Sequence, residues 1–144
     1  MSLSDDLYKE IILEHSQNPS HRGDVIDYTV MEDGVNRSCG DEVQIQLKIE
    51  DGIITEVGVK GHGCSISTAS SSLMADAIEG MNISDAKDLI KKFKEMVMDD
   101  AEVEFPEELE DLSALAGVKK FPVRVKCATL SWNTLEQALK NLQN

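Results

Sequence analysis

The sequence contains no long apolar stretch, either near its beginning or elsewhere. Its apolar runs are only a few residues long, whereas a membrane-spanning helix needs about 20 apolar residues in a row. Residues 1–6 include two aspartates and no apolar core of the kind that a secretory signal requires. We therefore expect a cytoplasmic protein without a membrane partner.

Basic residues are also scarce. The 14 Lys and Arg residues face 27 Asp and Glu residues, which gives a net charge of −13. A chain of this charge repels phosphate backbones, so we expect no nucleic-acid partner. The 144 residues, with 41% hydrophobic and 28% charged side chains, are typical of one globular domain over residues 1–144. The sequence does not reveal the oligomeric state, for which we expect a monomer.

The chain has few cysteines, and their number is odd. The chain has three cysteines, Cys39, Cys64 and Cys127, and no Cys-x-x-Cys pair. A disulfide scheme would leave at least one thiol unpaired, and disulfides are uncommon in a reducing compartment. The cysteines are therefore buried inert thiols, metal ligands or reactive thiolates.

Apolar periodicity predicts an α+β fold in which strands are followed by helices. We expect an N-terminal helix capped by Ser4 and ending near Ser16, then a loop over 18–23. Strands are predicted at 25–30, 42–50 and 53–60. The first strand is weak, and Asp51-Gly52 joins the other two as a hairpin. The result is a three-stranded antiparallel sheet with one apolar face.

About four helices are predicted to cover this apolar face. The first runs over 65–79 and ends at Gly80, and the second is capped by Ser84. A short third helix starts at Pro106 and ends at Gly117, and the last helix carries Cys127. The serine-rich stretch at 65–72 is interpreted as a small-residue face that allows close packing on the sheet. On the sheet, Ile53, Thr55, Val57 and Val59 are expected to share the buried face.

Three potential ligands converge at one end of the predicted sheet. Cys39 and Asp41 precede the strand at 42–50, and Cys64 follows its antiparallel partner. The pattern does not place Cys127, which lies in the first turns of the last helix. If Cys127 joins the others, three thiolates and one carboxylate form a set that suits tetrahedral zinc. Unrelated core cysteines remain the alternative at this point.

The three histidines, His15, His21 and His62, are candidate partners for a reactive thiol. His62 lies two residues from Cys64, a spacing that places both side chains on one face of a strand. A Cys–His hydrolase also needs an oxyanion hole and a residue that orients the histidine, and neither has a motif here. We expect His62 to be an exposed strand-end residue, His15 to lie near the core and His21 to lie in a loop.

The segment Asp99 to Asp111 contains eight acidic residues and no basic residue. It is interpreted as a solvated acidic helix and loop, with partner docking or covering of the site as the functional alternative. A basic group follows it, made of Lys119, Lys120, Arg124 and Lys126.

Four motifs cover the chain nearly from end to end. They are Asn18-Pro19 with Gly23, Cys39-Gly40-Asp41, residues 61–67 (GHGCSIS) with 69–71 (ASS), and residues 124–132 (RVKCATLSW). With them the chain resembles the U-type iron–sulfur cluster assembly proteins, the IscU/NifU-like family, and within that family the SufU branch. The resemblance implies the α+β fold outlined above, a SufE/IscU-like fold, with a metal site at one exposed end of the sheet.

The resemblance also implies the ligands and their chemistry. It assigns Cys39, Asp41, Cys64 and Cys127 as shared ligands of a metal, zinc by default, or of a cluster, and so brings Cys127 to the other three. It implies a zinc-dependent sulfur acceptor that takes persulfide sulfur onto Cys39 from a cysteine desulfurase of the SufS type. A downstream iron–sulfur assembly complex would receive the sulfur. Whether the chain is itself an enzyme, a sulfurtransferase, is left open.

Two features separate this chain from the scaffold branch of the family. Scaffold members carry a histidine directly before the third cysteine, where this chain has Lys126, and they lack the extra residues around 99–117. Both features favour SufU. The alternatives are a scaffold that assembles a [2Fe–2S] cluster on the same ligands, and a closed structural zinc module. Arg124 and Lys126 are candidate supporting residues for sulfur anions, although surface solvation also accounts for both.

Overall fold

The computed structural model describes residues 3–99 and 102–142, with side chains described from Tyr8 onward within the first helix. The predicted α+β class is confirmed. The elements are α1 (Leu3–Gln17), β1 (Val30–Asn36), β2 (Asp41–Glu50), β3 (Ile53–His62), α2 (Ser65–Ile78), α3 (Ile83–Met98), a 3₁₀ helix (Glu107–Lys120) and α4 (Pro122–Asn141). Among the described residues, no helix combines the length and apolarity that crossing a membrane requires.

The three strands form one antiparallel sheet in the order β1-β2-β3. The predicted hairpin at Asp51-Gly52 is confirmed, and both residues have positive φ, at 52° and 78°. That geometry matches the twist of the strands in a two-residue hairpin. The C-terminal ends of β1 and β3 therefore both lie beside the N-terminal end of β2.

The predicted position of the first strand is wrong. We expected a strand at 25–30, whereas β1 runs over Val30–Asn36. Acidic residues and Gly34 give this segment a low intrinsic strand propensity, which pairing with β2 overrides. Gly34 is needed because a Cβ there would lie 2.0 Å from Thr134 Oγ1 on α4. Val25 is buried, but in a loop, where its N–H donates to the side chain of Gln46 at 2.7 Å.

The predicted alternation of β3 is partly wrong. Val57 and Val59 are buried as expected, but Thr55 is exposed and Ile54 is fully buried in its place. The pairing of β2 with β3 shifts by one residue next to Ile49. A shift of one residue moves side chains to the opposite face of a strand, which explains the exchange.

Helix boundaries differ from the predictions by a few residues. The first helix begins at Leu3, so Ser4 lies inside it and is not its cap. Asn82, and not Ser84, caps α3, with its side chain accepting the N–H of Asp85 at 2.7 Å. Both residue types cap helices, and Asn82 lies closer to the preceding turn.

The third predicted helix is a 3₁₀ helix that starts directly after Pro106, as expected. It runs through Gly117 to Lys120, so its predicted end at Gly117 is wrong. Gly117 does not have the positive φ that ends a helix at glycine, whereas Gly80 after α2 does.

The core lies between the sheet and the helices, and it fixes α4 against α2. Trp132 and Phe93 are fully buried and stack with ring centroids 4.2 Å apart. The Trp132 indole donates to Ser70 Oγ at 3.0 Å, and Ser70 donates to the carbonyl of Ala128 at 2.6 Å. The small residues of α2 are buried, as predicted, but they pack on helices α1 and α4 as well as on β3. Ala128 follows Cys127, so this contact also fixes the position of that thiol.

Candidate metal centre

One end of the sheet gathers three of the predicted ligands. Asn36 at the end of β1 pairs with Asp41, and Glu42 pairs with His62 at the end of β3. Cys39 lies in the four-residue turn between β1 and β2, and Cys64 follows β3 by two residues. The antiparallel order alone produces this juxtaposition, as the sequence predicts.

Cys127 reaches the same place from α4. Its side chain is completely buried, and its thiol donates to the sulfur of Cys39 at 3.3 Å. The donor atoms of Cys39, Asp41 and Cys127 all lie within 4.8 Å of one another. Three groups that are far apart in the sequence are thus close enough to bind one metal ion.

Cys64 lies at the margin of this group. It is the N-cap residue of α2, and its sulfur accepts the N–H of Ser67 at 3.4 Å. Its thiol lies outside the group of three donor atoms that are all within 4.8 Å of one another.

The carboxylate of Asp41 is completely buried. Its Oδ1 accepts the backbone N–H of Cys64 at 2.8 Å, and its Oδ2 accepts the side-chain amide of Asn36 at 3.3 Å. Both of these donors are neutral, and a buried charge is costly unless a cation or several donors offset it. Gly63 leaves the space for this carboxylate, since a Cβ there would lie 2.5 Å from Oδ1. A buried carboxylate among thiols fits a metal cation better than it fits an inert core.

Burial raises the pKa of the Cys127 thiol well above its usual range. Hydrogen bonds with the thiols of Cys39 and Cys64, then with Asp41, and the charge on Cys64 raise this pKa further. Without a cation, Cys127 therefore stays protonated at neutral pH. A bound metal ion reverses this preference, because its positive charge stabilises the thiolate.

The proposed supporting residues, Arg124 and Lys126, lie close in sequence to Cys127. Arg124 and Lys126 are exposed on the first turns of α4. Neither side chain forms a hydrogen bond or ion pair with a cysteine in the part of the chain that the structure describes. Their role toward sulfur anions stays a prediction.

His62, His15 and His21 lie in the exposed, partly buried and loop positions that were expected. The side chain of His62 is 73% exposed and lies 3.3 Å from a carboxylate oxygen of Glu42. His15 is bonded to Ser72 on α2 at 2.7 Å, and His21 lies in a loop. Because His62 pairs with a carboxylate and not with Cys64, the hydrolase alternative has no geometric support.

The acidic segment is solvated and anchored by its apolar residues. The described carboxylates from Glu102 to Asp111 are exposed, whereas Phe105 is partly buried against the core. Lys92 lies over the ring of Phe105, 5.2 Å from its centroid. Asp111 lies beside Asp76 in α2, 12 residues along the chain from Cys64, or about 18 Å along a helix. These contacts do not support the idea that this end of the segment covers the thiols.

Sequence reasoning missed Asn36. The one sequence signal for a role in the site is its position three residues before Cys39. The predicted first strand, at 25–30, does not include Asn36. The correct strand pairs Asn36 with Asp41 and brings its amide into the site.

Comparisons with known proteins agree with this geometry. The family described as "NifU-like N terminal domain" matches residues 7–144. A protein of Bacillus subtilis (strain 168) named "Zinc-dependent sulfurtransferase SufU" is 41% identical over 135 residues, which cover 94% of this chain and 90% of that protein. A Thermotoga maritima protein named "Iron-sulfur cluster assembly scaffold protein IscU" is 39% identical over 137 residues, covering 94% of both chains.

Solved structures share the fold. The crystal structure of a putative iron–sulfur cluster assembly scaffold protein for the SUF system, from Fervidobacterium islandicum AW-1, superimposes with a TM-score of 0.83 and 35% identity. The match covers 94% of this chain and 98% of that one. The arrangement of helices and sheet described above is therefore found in related proteins over nearly their whole length.

Proposed function

This chain belongs to the family of NifU-like N-terminal domains, and on that premise we propose that it acts in iron–sulfur cluster assembly as a zinc-dependent sulfur acceptor. The observation that carries the proposal is the group formed by Cys39, Asp41 and Cys127, whose donor atoms lie within 4.8 Å of one another. Cys64, the N-cap residue of the neighbouring helix α2, would complete a set of three sulfurs and one oxygen. The reducing cytoplasm keeps such thiols available, so we place the protein there.

Zinc suits this set of ligands. Thiolates favour zinc, copper(I) or iron–sulfur clusters over magnesium or calcium, and four ligands complete a tetrahedral zinc site. When bound, zinc keeps its cysteine ligands deprotonated at neutral pH. The Bacillus subtilis relative, which is 41% identical, is named as zinc-dependent, and this supports the same choice of metal.

Cys39 is the best placed of the three thiols to accept sulfur. It is only half-buried and lies in a turn, whereas Cys127 is fully buried in a helix and Cys64 caps one. The partner is a cysteine desulfurase of the SufS type that carries a persulfide. The Cys39 thiolate attacks the outer sulfur, the sulfur–sulfur bond of the persulfide breaks, and the desulfurase cysteine leaves as a thiolate with the electron pair. Cys39 then carries the persulfide to a downstream iron–sulfur assembly complex.

A second function is supported by the relative named as a scaffold protein, which is 39% identical. The same thiolates suit a [2Fe–2S] cluster. Lys126, which stands where scaffold members carry a histidine, favours the sulfur-acceptor function. A third and weaker possibility is a structural zinc module, in which the metal serves folding only.

A sulfur-transfer assay separates these functions. The zinc-loaded protein is incubated with a cysteine desulfurase and ³⁵S-labelled cysteine, and the label on this chain is measured after removal of the desulfurase. We expect the wild-type chain to be labelled and Cys39→Ser to be unlabelled, with Ser38→Ala as the control in the same turn. Label on the Cys39→Ser chain would contradict the role of Cys39.

Anaerobic reconstitution with iron and sulfide tests the scaffold function. We expect zinc to remain bound and no stable cluster to form. A stable [2Fe–2S] cluster that displaces zinc and passes to an acceptor protein would favour the scaffold. If chelation unfolds the protein and a desulfurase never responds to it, the site is purely structural.

A further inference from the structure

Asn36 contacts two of the proposed ligands at once. It is the last residue of β1 and is half-buried directly opposite Asp41 in the sheet. Its side-chain nitrogen lies 3.3 Å from Asp41 Oδ2 and 3.9 Å from the sulfur of Cys127. An amide nitrogen carries two N–H groups, so Asn36 is able to donate to both acceptors at the same time.

We propose that Asn36 is a positioning residue of the metal centre, which holds the Asp41 carboxylate and the Cys127 sulfur in the orientation that binds the metal. This inference rests on the proposed function, because it takes Asp41 and Cys127 to be ligands. It adds a residue that does not itself bind the metal.

The carboxylate of Asp41 is fixed at both oxygens, and Asn36 supplies one of the two contacts. The other is the backbone N–H of Cys64 on Oδ1 at 2.8 Å. A carboxylate oxygen has room for a hydrogen bond and a metal ion together. Without the amide, Oδ2 would lose this hydrogen bond, and the carboxylate would be freer to rotate away from the sulfurs. Outer-shell partners of this kind typically contribute about 10- to 100-fold to metal affinity.

The charge of the site explains why the residue is an amide. Three thiolates and a carboxylate carry more negative charge than zinc offsets, and Asp41 and Cys127 are both completely buried. N–H donors stabilise these anions without adding bulk. An aspartate in place of Asn36 would have nearly the same shape but would turn an oxygen toward Asp41, so attraction would become repulsion.

Asn36 holds two ligands that are not expected to take up sulfur, Asp41 and Cys127. Among the described residues its amide donates hydrogen bonds to Asp41 and Cys127 but not to Cys39. It therefore secures ligands that stay in place while Cys39 takes up sulfur. The effect of removing Asn36 should persist in a Cys39→Ser background and shrink in an Asp41→Ala background, because the interaction with Asp41 is then already lost.

The test measures metal binding, not sulfur transfer. Zinc affinity is determined by competition with a chromophoric chelator at fixed pH for the wild type, Asn36→Ala and Asn36→Asp. Gln44→Ala is the matched control, because Gln44 also donates an amide to a carboxylate, that of Asp33 at 3.1 Å, on the same sheet. We expect about 10- to 100-fold weaker binding for Asn36→Ala, a larger loss for Asn36→Asp and less than about twofold for Gln44→Ala.

Cobalt(II) substitution provides the readout that a merely structural role would leave unchanged. We expect both Asn36 variants to shift the ligand-field and thiolate-to-cobalt bands, and Gln44→Ala to retain the wild-type spectrum. Asn36→Asp keeps the shape of the side chain, so the test survives if Asn36→Ala fails to fold.

Wild-type zinc affinity and cobalt spectra in both Asn36 variants would overturn the assignment of Asn36 and leave the proposed function intact. A wild-type chain that binds neither zinc nor cobalt would overturn the metal centre itself, and the assignment of Asn36 with it.

Discussion

Asp24 shows that a few polar contacts shift the pKa of a carboxyl group even on the protein surface. The amide of Gln46, at 2.9 Å, and then the ammonium of Lys60, at 3.0 Å, hold the pKa of this carboxyl below its usual value. Because the pKa is lower in the folded state, the contribution of Asp24 to stability is present above its unfolded pKa. It is lost as the pH falls through the folded pKa. The side chain is 67% exposed, so the effect is screened by solvent.

We predict that Lys60→Met raises the pKa of Asp24 toward its usual value, since the ion pair and one hydrogen bond are lost. The amide of Gln46 remains and keeps part of the shift. The measurement is an NMR titration of the carboxyl carbon. Lys48→Met is the control, because Lys48 pairs with Glu50 at 3.7 Å. An unchanged pKa in Lys60→Met would show that the amide alone sets it.

Gly63 offers a second test at the scale of one residue. We predict that Gly63→Ala weakens zinc binding by about tenfold or more, because the new Cβ, 2.5 Å from Asp41 Oδ1, displaces that carboxylate. The matched control is Gly117→Ala, whose Cβ would meet nothing within 4 Å. Chelator competition measures both variants. Equal affinities would mean that the position of Asp41 does not matter for the metal.

At the scale of elements, β1 packs against α4 at Gly34, where an added Cβ would overlap Thr134. We predict that Gly34→Ala costs about 1–3 kcal/mol of unfolding free energy, because its Cβ would overlap the hydroxyl of Thr134. Thr134→Ala should relieve part of this cost in the double variant. Urea unfolding of both single variants and the double variant measures the coupling. Strictly additive effects would contradict the close contact.

The sequence predicts helices and strands correctly where local sequence signals specify them, and less well where contacts between distant segments do. The strand over Asp41–Glu50 alternates apolar and polar residues, and the hairpin at 51–52 has its own turn signal, so both were predicted correctly. The strand Val30–Asn36 has no such signal, because its stability comes from pairing with β2 and from packing under α4. The bulge near Ile49 likewise depends on two strands at once, and so the exposure of Thr55 was missed.

The same distinction applies to the site. Antiparallel order is enough to bring Cys39, Asp41 and Cys64 to one end of the sheet. The approach of Cys127 depends on how α4 packs, through Trp132 and Ser70, and no local pattern encodes that. The resemblance to a known family supplied this contact in advance, and the structure shows it at 3.3 Å between two sulfurs.

At the scale of the whole molecule, the expectations of a single domain and a monomer stay predictions. We predict one cooperative thermal transition for the metal-free chain, and a higher transition temperature with zinc, because a ligand that binds only the folded state stabilises it. Calorimetry with and without zinc measures both. Two separate transitions would contradict a single domain over residues 1–144, and sedimentation equilibrium tests the monomer.

In the proposed metal centre, Cys39, Asp41, Cys64 and Cys127 surround a single zinc ion. X-ray absorption at the zinc edge of the purified, zinc-loaded protein tests it most directly. We expect three sulfur neighbours at about 2.3 Å and one oxygen neighbour at about 2.0–2.2 Å, with one sulfur lost in Cys64→Ser. Fewer than three sulfurs in the wild type, or a coordination shell that Cys64→Ser leaves unchanged, would contradict it.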